Sequence, residues 1–529
     1  VTISRAVPPK SKLQLLINVG RLAWPVMLTN LLQSVLNVVD VYMVGRLGPI
    51  SIAAIGMSNV IRFLVLVLVL TISAGGMSLI AQARGARDTQ RMSFVTRQSI
   101  SSGFLLSIAL ILAGQLLAEP LLLWANGGGE PQAVVAGTRF LRILFWGMPF
   151  LVLNIVFDRL MQGAGDTFTP LLISGGLNLA NIGLNALFIF GYGPIPAFGL
   201  DGAAYGTIVA RATACLIAFW LIYSNRNVVR LLPGSYRPNL QMFKEIFKIG
   251  LPAGIQGVFR NVSRLLVISI LTSTEVSTFG AAALAIGLQV ESLAFMPVLG
   301  LNVAATSLVG QELGRWQTEE AVRRGNFAIG LGIGIMILLI TPMIIFAPAI
   351  IAFFDPSGHP IVAEAGIAYL RINTLSLPFT AVAMVANGAM RGAGDTVPGM
   401  LSTFFNRGVV AVAAAWVLAF SLGLGSMGVW YGVALGNLAD GLSLAWLWWS
   451  KRWVNIALHK TELYRQHLGK LPSAVQSRFL KEVRTPQMAI PGTQEKVGQG
   501  QVRYENKAGT LEANFSPNFY ELIRKSARD

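Results

Sequence analysis

Long apolar stretches recur along the whole chain. Residues 63–83, 98–118, 325–354 and 372–390 contain no charged side chain at all. Each is near or above the roughly 18–20 apolar residues that cross a bilayer core. A backbone in lipid must satisfy its own hydrogen bonds, so these runs are predicted to be helices. Apolar runs and the turn signals between them place six helices at 15–43, 52–80, 95–117, 137–160, 168–191 and 201–224. A second six are predicted at 244–271, 279–308, 325–347, 364–390, 397–420 and 427–450. The predicted fold class is all-α and integral to the membrane, with twelve transmembrane helices. Residues 1–14 form an N-terminal cytoplasmic segment, 15–224 one lobe, 225–243 an inter-lobe loop, 244–450 the other lobe and 451–529 a tail.

The two sets of six repeat each other. GTRFLRILFWGMPF at 137–150 matches GIAYLRINTLSLPF at 366–379, a shift of 229 residues. QGAGDTFTPLLIS at 162–174 matches RGAGDTVPGMLST at 391–403 with the same shift, as do Gln82 and Gly85 with Gln311 and Gly314. GAAYG at 202–206 falls on GVWYG at 428–432, where the shift has drifted to 226. Six is even, so both repeats enter from the same side and are parallel, with a cavity expected between two bundles and alternating access by rocking.

Composition changes the picture little. Hydrophobic residues make up 54% of the 529 and charged ones 12%, against roughly a quarter charged in soluble domains. The net charge of +17 suggests nucleic acid only until its placement is read. Arg84, Arg87, Arg91 and Arg97 share one loop region, Arg226, Arg230, Arg237, Lys244 and Lys248 another, and Arg315, Arg323 and Arg324 a third. The intervening loops near 118–136, 192–201, 272–280, 347–362 and 419–427 hold no Lys or Arg. This positive-inside pattern predicts a multi-pass protein of a cytoplasmic (inner) membrane with both termini cytoplasmic, and no nucleic-acid partner. The single cysteine, Cys215, lies in an apolar run and offers no disulfide. The basic tail, with Pro472, Pro486 and Pro491, reads as a flexible extension, whose end NFYELIRKSARD suits a short amphipathic helix on an anionic leaflet.

Candidate chemistry rests on polar groups stranded in apolar helices, which call for a functional reading by default. Gln33, Asn37 and Asp40 share one face of the first helix. A carboxyl at Asp40, partly desolvated, suits proton or cation exchange near neutrality; the bland reading is a structural carboxylate paired with a base. On the fifth predicted helix Asn178, Asn181 and Asn185 form a partner stripe, and Thr207 on the sixth adds a hydroxyl. Amides both donate and accept, so they serve a carboxyl in either protonation state, although such residues also merely glue bundles. Gln33, Asn37 and Asn178 are further candidates for lining a substrate cavity. In the second half, Arg264 and Glu291 are expected to form a structural ion pair, while Arg211, Arg407 and Asp440 remain unpaired in the sequence. The GAGDT loops lack the lysine of a phosphate loop and read as tight cytoplasmic turns whose aspartate caps the next helix. His359, His459 and His467 are scattered, so no catalytic triad, metal site or cofactor is expected, and the chain reads as no enzyme.

With these motifs in place, the chain resembles the multidrug and toxic compound extrusion (MATE) family, and within it the DinF-like branch. The carrying segments are WPVMLTNLLQSVLNVVDVYMVGRLG at 24–48, FLRI and YLRI, QGAGDT and RGAGDT, and LVGQELG at 308–314, over roughly residues 15–450. The resemblance implies a V-shaped, monomeric exporter that swaps protons or sodium for amphipathic, often cationic, small organic compounds. It puts Asp40 on the family's first-helix aspartate and Asn181 and Thr207 in its cation network. Asn185 stands where some members carry a second aspartate. Arg260 and Thr380 stand where the sodium-coupled branch has acids, which favours protons over sodium. Two other readings are a lipid-linked oligosaccharide flippase of the same superfamily and a membrane receptor or scaffold acting through the tail.

Overall fold

A computed structural model describes residues 11–126, 130–224, 226–355, 359–454, 494–498, 501–506 and 509–514. Residues 12–454 form one compact unit, separate from a second made of 1–11 and 455–529.

The first unit is helical throughout. Its N-lobe comprises α1 (Lys12–Gly45), α2 (Pro49–Gly85), α3 (Thr89–Asn126), α4 (Pro131–Trp146), α5 (Met148–Gly163), α6 (Phe168–Phe190) and α7 (Leu200–Tyr223). The C-lobe comprises α8 (Leu240–Thr272), α9 (Ser277–Gly314), α10 (Thr318–Ile345), α11 (Ala347–Phe354), α12 (Pro360–Thr374), α13 (Leu377–Gly392), α14 (Val397–Thr403), α15 (Ala411–Trp416) and α16 (Gly425–Trp449). Among the described residues nine helical stretches are long and apolar enough to cross a membrane, and two bent pairs bring the number to eleven. Outside that count, the 25-residue α16 packs against α13 and α15, consistent with a twelve-helix body.

Two predicted helices are broken where the sequence reading left them whole. The span expected at 137–160 is α4 and α5, bent by 55°, and that at 364–390 is α12 and α13, bent by 50°. Pro149 and Pro378 sit in the first turn after each break. Proline has no N–H to donate and its ring crowds the preceding turn. The two prolines are 229 residues apart, so the bends belong to the repeat. The eleventh span departs differently: π-helical turns at Phe404–Val410 and Val417–Ser421 flank α15.

The lobes meet at the ends that carry the GAGDT turns, through paired contacts. Ser78 and Gln82 of α2 donate to main-chain oxygens at the end of α13: Ser78 to Arg391 at 2.7 Å and Gln82 to Gly392 at 3.0 Å. Ser307 and Gln311 of α9 donate to Gly163 at the end of α5, at 3.1 and 3.2 Å. Gly85 and Gly314 make this crossing possible, since a Cβ on Gly85 would strike the Gln311 carbonyl and one on Gly314 that of Gln82. Within each turn a glycine takes the left-handed conformation, Gly165 at φ 89° and Gly394 at φ 79°. Asp166 Oδ1 accepts from the Thr169 amide at 3.0 Å, the expected cap.

The inter-lobe loop is tied to α3. Arg97 donates to the Leu232 carbonyl at 2.6 Å, and Gln98 both donates to Arg237 and accepts from Asn239. In the second unit, where the sequence suggested only a flexible extension, the backbone at Gln494–Gly498, Gln501–Asn506 and Gly509–Asn514 makes a three-stranded antiparallel meander, β1-β2-β3. Pro472, Pro486, Pro491 and the segment NFYELIRKSARD lie outside the described residues.

Candidate ion-coupling site

Asp40 lies in the last third of α1, half-buried. It faces α6, whose Asn178, Asn181 and Asn185 are all buried, and α7 packs on the same side. Asn185 Nδ2 donates to Asp40 Oδ1 at 2.8 Å. Asn185 and Asn181 exchange longer bonds of 3.2 and 3.4 Å, and Asn181 reaches Thr207 Oγ1 at 3.3 Å. Thr207 in turn donates to the Ala203 carbonyl at 2.8 Å. Three helices thus share one polar chain from a carboxylate to a main-chain oxygen. Its closeness depends on Gly206, where a Cβ would run into Asn185. That glycine closes the GAAYG motif.

The charges that act on Asp40 are Arg62 of α2 and Arg211 of α7, yet neither forms an ion pair with it among the described residues. Arg62 instead donates to Asn59 at 3.1 Å. The sequence reading missed Arg62, although the charge-free run that begins at 63 starts immediately after it. Asp40 is therefore held by an amide and not by a base. A proton placed on this carboxyl would reverse one hydrogen bond, and the amide of Asn185 could turn to accept it.

The cavity candidates divide. Gln33 and Asn37 are exposed on α1, with a contact of 3.5 Å between their amides. Asn178 is 4% exposed, and neither amide atom has a hydrogen-bond partner among the described residues. It occupies the face of α6 that turns into the lobe, one turn short of the bonded pair.

In the C-lobe the expected pairing is not made. Glu291 is buried and accepts from the Tyr369 hydroxyl at 2.9 Å. Arg264 is exposed and no ion pair joins the two among the described residues. The physical reason is a nearer phenol, which satisfies the buried carboxyl without bringing a second charge out of water. Arginine finds its acid elsewhere. Arg407 Nε contacts Asp440 Oδ2 at 3.0 Å, and Asp440 Oδ1 also accepts from Ser402 at 2.6 Å. Arg407 donates to Thr380 at 3.4 Å as well. At the α9–α10 turn, buried Glu312 pairs with Arg324 at 2.8 Å and Arg315 at 2.6 Å.

Comparison with known proteins agrees with this architecture. The MatE family model matches residues 25–187 and 252–417, one stretch in each lobe. A probable multidrug resistance protein NorM of Pseudomonas aeruginosa is 32% identical over 445 residues, covering 82% of this chain and 89% of its own length. Its namesake in Thermotoga maritima is 29% identical over 419 residues, covering 78% and 88%. Among solved structures, a multidrug resistance MATE family transporter of the MOP superfamily in an outward-facing conformation superposes with a TM-score of 0.76 at 25% identity, covering 84% of this chain and 98% of the other. A MOP superfamily transporter from Pyrococcus furiosus, described as having a binding pocket of reversed polarity, gives 0.75 at 25% identity, covering 83% and 97%.

Proposed function

Because this chain belongs to the MATE family of membrane transporters, we propose that it exports amphipathic, often cationic, organic compounds in exchange for protons taken up at Asp40. The observation that carries the coupling residue is the chain Asp40–Asn185–Asn181–Thr207, in which an intramembrane carboxyl is bonded, among the described residues, only to a neutral amide. A carboxyl in this setting gains and loses a proton with one amide rotation, whereas a carboxyl locked to arginine would stay charged. The names of the relatives, multidrug resistance proteins of bacteria, support the substrate class and a cytoplasmic-membrane location. The basic loops support termini on the cytoplasmic side, and the segment at 24–48 supports the DinF-like branch.

Sodium is the second reading, favoured by the oxygens that Asp40, Asn181, Asn185 and Thr207 bring together. Sodium binds such oxygen donors, but a second carboxylate is replaced here by Asn185. Dye efflux from inside-out vesicles, with proton and sodium gradients imposed separately, decides between them. Efflux driven by the proton gradient and lost in Asp40→Asn is expected. Efflux driven by sodium alone would transfer the role to that ion, and full efflux by Asp40→Asn would remove Asp40 from coupling altogether.

A further inference from the structure

Among the described residues, the C-lobe holds two arginines that no acid pairs. Arg260 and Arg264 stand one turn apart on α8, both exposed, and neither makes an ion pair or hydrogen bond through its side chain among the described residues. The charges around them include each other, Arg407 and Asp440 beside Arg260, and Glu291 beside Arg264. Ser263, next to Arg264, donates to the Arg407 main-chain oxygen, and Phe259, next to Arg260, packs on Phe404 with ring centroids 4.8 Å apart, so this stretch of α8 lies against the eleventh span of the bundle. An arginine inside a membrane is tolerated there when it faces a watery space. The nearby acids are engaged already, Asp440 by Arg407 and Ser402, and Glu291 by Tyr369. Arg391 at the end of α13 and Arg159 near the end of α5 continue the positive field towards the N-lobe.

We propose that Arg260, with Arg264 a turn further along, binds an oxyanion, a carboxylate or phosphate, on the transported amphiphile. The two side chains, with Cβ atoms about 5–6 Å apart by helix geometry, can bracket one such group, and guanidinium forks match its planar pair of oxygens. The lobes thereby divide the work: Asp40 serves the coupling ion in the N-lobe, and Arg260 reads a negative charge in the C-lobe. This proposal rests on the exporter reading above.

The test uses the full chain in nanodiscs and a matched pair of fluorescent probes, a rhodamine methyl ester and its free carboxylic acid. The pair differs by one negative charge. Wild type should bind the acid at least as tightly as the ester. In Arg260→Gln the ratio of acid Kd to ester Kd should rise about tenfold, the usual weight of a charge-assisted hydrogen bond; in Arg260→Lys, which keeps the charge and loses the fork, it should rise less. An unchanged ratio in Arg260→Gln would overturn the anion site. Should that variant fail to fold, wild type binding the ester tenfold more tightly than the acid would overturn it equally. Binding of neither probe to wild type would strike the exporter reading itself. Repeating the titration with phosphatidylglycerol in place of phosphatidylcholine identifies the source of the oxyanion. Unchanged acid binding assigns the site to the soluble carboxylate, and competition that vanishes in Arg260→Gln assigns the same site to a lipid phosphate.

Discussion

At the scale of single residues, how each intramembrane charge is held predicts what its loss will do. Asp40→Asn keeps the shape and can still accept from Asn185, but it carries no proton. Coupled efflux should vanish while the melting temperature in detergent stays close to wild type. Asn185→Ala should slow transport without abolishing it, because it removes the partner and leaves the titrating group. In the C-lobe the prediction concerns stability. Arg407→Met strands the buried Asp440, and breaking such a pair costs on the order of 3–5 kcal/mol. A double-mutant cycle between Arg407 and Asp440 should show strong coupling, and one between Arg264 and Glu291 much less; equal coupling in thermal melts would contradict the contacts described. Asp40, Asn181, Asn185 and Thr207 were legible in the sequence because each is a polar side chain at helical spacing in an apolar run. Tyr369 was not, since a tyrosine inside YLRI reads as an ordinary amphipathic residue until its hydroxyl is seen against Glu291. Arg264 was misplaced for the complementary reason. Charge alone suggests a partner, but only coordinates say which acid has already been satisfied.

At the scale of elements, the hydrophobic pattern gave the spans and their number, and it failed where local backbone chemistry interrupts a span. Pro149 and Pro378 are plain in the sequence, yet a proline in a membrane helix does not announce the size of its bend. The π-helical turns around α15 leave no signal in apolar periodicity at all. The glycines at the lobe contact are more informative. Gly85→Ala would push a methyl group into the Gln311 carbonyl, and overpacking of this kind costs roughly 1–3 kcal/mol. Its melting temperature should fall, as should that of Gly314→Ala, whereas Gly20→Ala, which meets nothing within 4 Å, should leave it unchanged. A pH effect is expected at the opposite end of the C-lobe, in the loop between α8 and α9. Desolvation works against the charged form of Glu275, but hydrogen bonds from Ser426 and from its own main chain outweigh it and hold the carboxyl below its ordinary 4.5. The Ser426 amide donates to it at 2.8 Å. A depressed carboxyl stabilises the fold above its unfolded value and loses that contribution as pH falls through the folded one. Glu275→Gln should therefore melt lower than wild type at neutral pH, with the gap closing well below pH 4.5.

At the scale of the molecule, the polar chain at Asp40 and the lobe contact both lie within residues 12–454 and not in the tail. Removing 455–529 should leave dye efflux largely intact in cells with confirmed membrane expression; loss of function with a correctly inserted body would favour the scaffold reading. Alternating access requires the lobe contact at the GAGDT ends to open, so Gln82→Leu with Gln311→Leu should make a cysteine placed at Ser307 react faster with maleimide. That contact also says something about descent. Gln82 meets Gly392 as Gln311 meets Gly163, and each pair is the other moved by 229 residues. Two copies of one six-helix chain, facing each other across a twofold axis, would make this same self-complementary set, as isologous homodimers do. A homodimer is bound to place every side chain twice. Once the copies are joined, that obligation lapses: the position that repeats Asn178 is Arg407. Joined copies are free to differ, so one half holds an amide where the other holds a base. The linker at 225–243 would then be dispensable for assembly, and the two halves expressed as separate chains should still find each other in the membrane.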